Sequence, residues 1–378
     1  MKISGVKIPA GVTITAPAQE QPQAPTGPSK LAVGAWRKNN NFGAAYIYNL
    51  DGTGEVKLTA SDGASEDYFG ESLAVSGTKV VVGSFYDDDS GNQSGSAYVY
   101  NLDGTGEVKL TASDGASGDY FGASVAISDT HIVVGAYDST SGKGAAYIYN
   151  LDGTGEQKIT ASDGAGGDNF GNSVAIQGDK IAVGAPYHGG GSAYVYNLDG
   201  TGEQKITASA GAASGDNFGM CVAISGTKVI VGAQGDDDRG SNSGSAYVYN
   251  LDGTGEQKIT ASDGAGNDRF GGSVAISDTK IVVAARGDNS YRGAVYVYNT
   301  DGTGELKITA SDGAGSDEFG ESVAILGDKI AVGAPSDDDS GESSGSAYVY
   351  NLDGTGEQKI TASDGAASDK FGRSVSLN

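Results

Sequence analysis

From Leu31 onward the chain alternates bulky apolar residues with Ala, Gly or Ser in short runs, and each run stops at a turn signal. Between Asp168 and Thr207 the runs read S-V-A-I, K-I-A-V-G, A-Y-V-Y and Q-K-I-T. Period-two alternation over so few residues predicts β-strands at Ser173–Ile176, Lys180–Gly184, Ala193–Tyr196 and Gln204–Thr207. Gly178-Asp179 joins the first pair as a two-residue hairpin. Leu198–Gly202 (L-D-G-T-G) joins the second pair, with glycine where φ can be positive. One face of each strand is bulky and the other nearly bare, so neighbouring sheets can stack closely.

The unit recurs. Phe-Gly stands at Phe69, Phe121, Phe170, Phe218, Phe270, Phe319 and Phe371, and the glutamate of D-G-T-G-E at Glu55, Glu107, Glu156, Glu203, Glu256, Glu305 and Glu357, in steps of 47 to 53 residues. A constant period of this size marks a repeat architecture, and four strands per unit make the blade of a β-propeller. After Phe371 only one strand remains, Arg373–Asn378, while the first run, Leu31–Ala35, is a second strand lacking a first. Pairing that last strand with Leu31–Ala35, Ala45–Tyr48 and Val56–Thr59 completes a blade and leaves no open sheet edge. The expected fold is all-β: a seven-bladed propeller of four-stranded antiparallel blades over residues 30–378, closed by its termini.

Repeat length varies mainly in the connection between second and third strands, which holds 9, 12, 9, 7, 12, 9 and 12 residues in turn. These connections and the blade-to-blade segments share one face of the disc, and the two short hairpins of each blade share the other. Binding residues favour loops on a rigid frame, so candidate ligand-binding residues are Trp36, Arg37, Tyr86, Asp87, Tyr137, Tyr187, His188, Asp237, Arg286, Tyr291, Arg292 and Asp338. Aromatic faces beside Asp, Asn and Arg suit a sugar; the competing reading is that these aromatics cap the packing between blades. Asp87–Asp89, Asp236–Asp238 and Asp337–Asp339 form acidic triplets, with Asp87, Asp89, Asp236, Asp238, Asp337 and Asp339 as candidate calcium ligands. Otherwise no cofactor is expected. Arg286-Gly287-Asp288 is read as coincidence in a chain so rich in Gly and Asp.

Residues 1–29 stand apart. Lys2–Ile8 and Gly11–Thr15 are β-type runs, and Ala16–Pro28 carries four prolines, which favour an extended linker. An anchoring arm using Ile3, Val6, Ile8, Val12 and Ile14, or a free tail, are the two readings. The chain opens without the apolar stretch of a signal peptide. A net charge of −24 argues against nucleic acid and anionic membranes as partners, and no run is long enough for a membrane span. The single cysteine, Cys221, occupies a strand position held by serine elsewhere. No cluster of His, Cys and carboxylates has catalytic or metal spacing, so no enzyme is expected.

The run D-x-F-G-x-S-V-A-I…V-G-A-P resembles the FG-GAP repeat, the blade of integrin α-chain propellers and of many bacterial and phage proteins. Its A-Y-V-Y-N-L-D-G-T-G-E flavour is most similar to marine bacterial and phage members. The resemblance implies a propeller that works outside cells, often with calcium held between first and second strands. That connection is only two residues here, too short for a cage of six or more oxygens. A virion protein reconciles an extracellular ring with the missing leader. The expectation is therefore a non-enzymatic phage structural protein on the virion surface, a tail fibre or capsid decoration. It would join other virion proteins through its arm and attach to a host-surface glycan or protein through its loops. The alternative is a bacterial extracellular, cell-surface adhesion or carbohydrate-binding module.

Overall fold

The computed structural model describes residues 29–209 and 213–378. Seven four-stranded antiparallel sheets follow one another along the chain. In the fourth repeat-bearing sheet the strands are Ser173–Gln177, Lys180–Ala185, Ser192–Asn197 and Gln204–Ile206, within one residue of the alternation pattern. The arm strands expected before Ser29 lie outside the described residues. Among the described residues no helix is long and apolar enough to cross a membrane.

Closure is as the sequence requires. Phe371–Leu377 pairs with Lys30–Ala35 in register Leu31↔Leu377 and Val33↔Val375. The Lys30 amide donates to the Asn378 carbonyl at 2.8 Å, and the Asn378 amide to the Lys30 carbonyl at 2.9 Å. Each first strand touches the first strands of the blades on either side, so these seven form the inner ring. The second and third strands are buried almost throughout, because each blade is covered on both faces by its neighbours.

There is accordingly no single core but a series of inter-blade cores. In one of them Leu31, Val33, Tyr46 and Tyr48 of the closing blade meet the smaller Ala331, Ala347 and Val349 of the blade before it. The motif phenylalanine lies edge-on to both tyrosines of its Y-x-Y strand in all seven blades, for example Phe170 to Tyr194 at 5.4 Å and Tyr196 at 6.0 Å. The V-G-A glycine admits the next blade's Phe-Gly segment: a Cβ on Gly184 would sit 2.0 Å from the Gly219 carbonyl oxygen.

The tyrosine hydroxyls emerge at the blade seams, where they meet the repeated polar residues. Glu203 accepts from the Tyr196 hydroxyl at 2.9 Å and from the Ser162 amide and hydroxyl at 3.0 and 2.6 Å, joining two repeats. Across the closing seam Glu55 does the same with Ser363. The aspartate of S-D-G bridges similarly: Asp163 accepts from Tyr194 at 2.8 Å and Lys205 at 2.6 Å. Ala210 replaces this aspartate in one repeat.

These aspartates set the acid response. Burial raises the pKa of Asp364, but Lys57, Tyr46 and Lys38 outweigh it and bring it down to about 2. Asp62, Asp114, Asp163, Asp263 and Asp312 also lie low, since lysine and tyrosine hydrogen bonds prevail over burial. The aspartate of D-x-F-G goes the other way: burial, with Asp87 and Asp88 nearby, pushes Asp67 up to about 6. A carboxyl held low stabilises the ring above its unfolded value and loses that contribution as pH falls through its folded value. A carboxyl held high contributes fully below its unfolded value, and the contribution disappears as pH rises through its folded value. The melting temperature should therefore hold or rise from pH 7 to roughly 4.5, then fall steeply towards pH 2, and Asp364→Asn should flatten that acid limb. Thermal melts across the range test this; a steady decline from pH 7 would contradict it.

Candidate functional site

Three positions of the repeat differ from blade to blade: the residue after V-G-A, which opens the variable second-to-third connection, and the residues on either side of the constant Phe-Gly. The ring brings all three to one mouth of the central channel. The residues following Phe-Gly, namely Glu71, Ala123, Asn172, Met220, Gly272, Glu321 and Arg373, all line one cavity of about 330 Å³, with Phe85, Tyr137, Gln234 and Arg286 from just after the second strands. The residue before Phe-Gly adopts a left-handed conformation in every blade, with φ between 56° and 59°, although none is glycine. A backbone conformation costly for most side chains is thus used seven times to place a residue that changes from repeat to repeat.

The mouth has three chemically distinct arcs. Along the first three blades an unbroken aromatic chain runs from Trp36 to Tyr68 (4.8 Å between ring centres), Tyr68 to Tyr86 (5.1 Å), Tyr86 to Tyr120 (5.4 Å) and Tyr120 to Tyr137 (5.1 Å, stacked), with Phe85 4.3 Å from Tyr86. These rings are half-buried, and Phe85 and Tyr137 line the cavity itself. The middle blades supply amides, Asn172 and Gln234, with Met220.

The remaining arc is charged. Arg373 donates its Nε and Nη2 to Glu71, the latter at 2.7 Å, and its Nη1 to Glu321, tying the closing blade to both neighbours. Arg286 also pairs with Glu321. Burial raises the Glu321 carboxyl, but Arg373 and Arg286 outweigh it and hold it below the usual range. The Arg37 and Arg373 guanidinium carbons stand 4.5 and 5.6 Å from the Trp36 ring centre, and Arg269 acts on Glu321 from the preceding blade. Four of the six arginines are therefore at or beside this mouth.

The ring sorts the sequence candidates. Trp36, Tyr86, Tyr137 and Arg286 are brought together here, with Arg37 on the rim beside Trp36. Tyr187 is 52% exposed, the most open aromatic among the described large hydrophobics. Tyr291 lies under Arg269 at 5.5 Å, and Arg292 is exposed. His188 bonds Asp168 at 2.5 Å and Lys205 at 2.7 Å in a blade seam. Asp237 and Asp338 close their own loops by accepting from Asn242 and Ser343 amides at 2.7 Å. Arg286-Gly287-Asp288 is not presented as a free tripeptide: Arg286 holds Glu321, and Asp288 holds Lys307 at 2.9 Å. Cys221 donates to the Gly271 carbonyl, and burial pushes its thiol up to about 12.

The residues flanking Phe-Gly were not among the sequence candidates. Their signal was present, since Tyr68, Tyr120, Asn169, Asn217, Arg269, Glu318 and Lys370 differ inside an otherwise constant motif. The three nine-residue connections also form something alternation cannot predict, a left-handed turn, as at Asn39, Asn40 and Asn41 with φ of 53°, 60° and 68°. Short polar side chains tolerate that conformation best.

In the acidic triplets a lysine ammonium sits among the carboxylates. Lys359 lies 2.7 Å from Asp312, 2.9 Å from Asp337 and 2.5 Å from Asp339, whose oxygens approach within 4.8 Å of one another. Lys109 meets Asp62, Asp87 and Asp89 likewise, and Lys258 meets Asp236 and Asp238. These carboxylates have a cation already. Calcium or EDTA should move the wild-type melting temperature by less than about 2 °C, whereas Lys359→Ala should acquire a calcium-dependent rise. Melts with and without calcium decide it; a calcium-dependent wild type would mean the lysine yields to the metal.

Closed four-stranded blades around a channel with a decorated mouth define a seven-bladed propeller. The FG-GAP repeat model matches at residues 53–100, 105–149, 154–196, 201–249, 254–298, 303–350 and 355–378, and the chain belongs to that family. Among solved structures it is similar to TolB from Acinetobacter baumannii, with a TM-score of 0.50 and 15% identity. That match covers 75% of this chain and 64% of TolB, so it speaks to the propeller fold alone. No curated protein matches the chain.

Proposed function

We propose that the protein is a non-enzymatic structural protein of a phage virion, a tail-fibre or capsid-surface appendage, whose channel mouth attaches to sugars of the host surface. One observation carries this reading: the differing residues that follow Phe-Gly in all seven repeats collect at a single mouth, while Lys30 and Asn378 meet at the opposite, constant face. A ring tethered through residues 1–29 presents its mouth outward. Half-buried aromatic rings offer apolar faces to sugar CH groups, and Asn172, Gln234 and the arginines offer hydroxyl partners. The arm docks on other virion proteins.

The test uses the full chain. Purified protein should compete with phage for adsorption to host cells, and the Tyr68→Ala/Tyr120→Ala double variant should compete at least tenfold less well while melting near the wild type. Immunogold labelling should decorate particles. Labelling of bacterial envelopes instead would assign the ring to a cell-surface adhesin, and failure to compete would remove the attachment role.

A further inference from the structure

We infer that the sugar taken by the channel mouth is acidic, a uronic- or sialic-type residue whose carboxylate seats on the free edge of Arg286. The inference rests on the sugar-binding reading above and adds the charge of the ligand. Its basis is an unpaired donor. Of the buried side-chain nitrogens and oxygens among the described residues, the Arg286 Nε and three serine hydroxyls lack a hydrogen-bond partner. The serines, Ser96, Ser192 and Ser245, begin third strands inside the blades, whereas Arg286 lines the cavity. A buried donor left unpaired is unfavourable, and in a native protein it calls for a physical reason.

The other arginine of the cavity has no such capacity. Arg373 spends Nε, Nη1 and Nη2 on Glu71 and Glu321. Arg286 commits only Nη1, to Glu321, and its side chain is 24% exposed. The Nε–Nη2 edge of a guanidinium matches the two oxygens of a carboxylate in a planar, bidentate fit, and the partly exposed side chain turns on binding to bring its enclosed Nε to the cavity. The chain's net charge of −24 disfavours a polyanion, but the local concentration of arginines makes the mouth the place where a single carboxylate is tolerated. A cavity of about 330 Å³ is small for a binding site, which favours one terminal sugar residue over a buried oligosaccharide. Tyr137 on the opposite wall provides an aromatic face for its ring.

Isothermal titration of the full chain with methyl β-glucuronide, the methyl glycoside of N-acetylneuraminic acid, methyl β-glucoside and acetate tests the assignment. At least one acidic glycoside should bind ten times or more tightly than the glucoside and acetate, with affinity falling as salt rises. Arg286→Gln should remove that preference. Arg286→Lys, which keeps a charge beside Glu321 and should fold if the glutamine variant does not, should lose tenfold or more because an ammonium lacks the two-pronged edge. Glucoside binding as tight as glucuronide would overturn the acidic assignment and leave the sugar reading standing. Acetate binding as tight as glucuronide, or no binding by any probe, would overturn both. Unchanged affinity in a folded Arg286→Lys variant would move the carboxylate away from this arginine.

Discussion

Removal of Arg373–Asn378 is expected to lower the melting temperature by more than ~10 °C and to make the chain associate. The excised residues complete the inner strand of the closing blade and bury Val375 and Leu377, each 8% exposed. Burial of side chains this size contributes about 1.5–3 kcal/mol each. Arg373 also links Glu71 and Glu321 on the two flanking blades, and the Asn378 side-chain amide donates to the Gly77 carbonyl at 2.6 Å. Without the strand, Leu31–Ala35 becomes a bare edge ready to pair with another chain. The combined loss is on the order of 5–10 kcal/mol. Thermal melts with light scattering check both parts, and a truncated chain that melts like the intact one and stays monomeric would show that the ring does not depend on this seam.

Phe170→Ala should cost about 3–5 kcal/mol, as large-to-small changes at fully buried aromatics do. Phe170 is completely buried and lies edge-on to Tyr194 and Tyr196. It belongs to one inter-blade core with Val133, Ile148 and Ile159 of the preceding blade. The void would open between blades, where no single sheet can collapse to fill it. Tyr120→Ala, by contrast, removes a half-buried ring at the mouth and should cost less than about 1 kcal/mol. Denaturant unfolding of both variants measures the difference. Equal losses would mean that the aromatic arc is part of the scaffold, and the mouth would then lose its standing as a binding surface.

That contrast also separates what can be read along the chain from what cannot. The strands, their antiparallel order and the shared seventh blade follow from local alternation, two-residue turns and a period, each a property of neighbouring residues. The acidic triplets were equally legible as carboxylate clusters, but not the lysines within them. Lys359 stands 47 residues from Asp312 and 22 from Asp337, and only the folding of a whole blade, with the segment that enters it, brings the three together. The Glu55–Ser363 seam spans 308 residues for the same reason.

The mouth was half legible. Trp36, Tyr86, Tyr137 and Arg286 follow second strands, where a change in loop length drew attention to them. Tyr68, Tyr120, Glu71, Glu321 and Arg373 were hidden beside Phe-Gly, inside a motif whose constancy reads as scaffold. The sequence by itself determined that seven alike units close into a ring. Tertiary structure decided which positions of the unit matter, because closure around an axis places the same position of all seven repeats at one height and radius. Residues about fifty apart in the chain thereby become neighbours in a single cavity, with an aromatic side and a charged side that no stretch of the sequence contains.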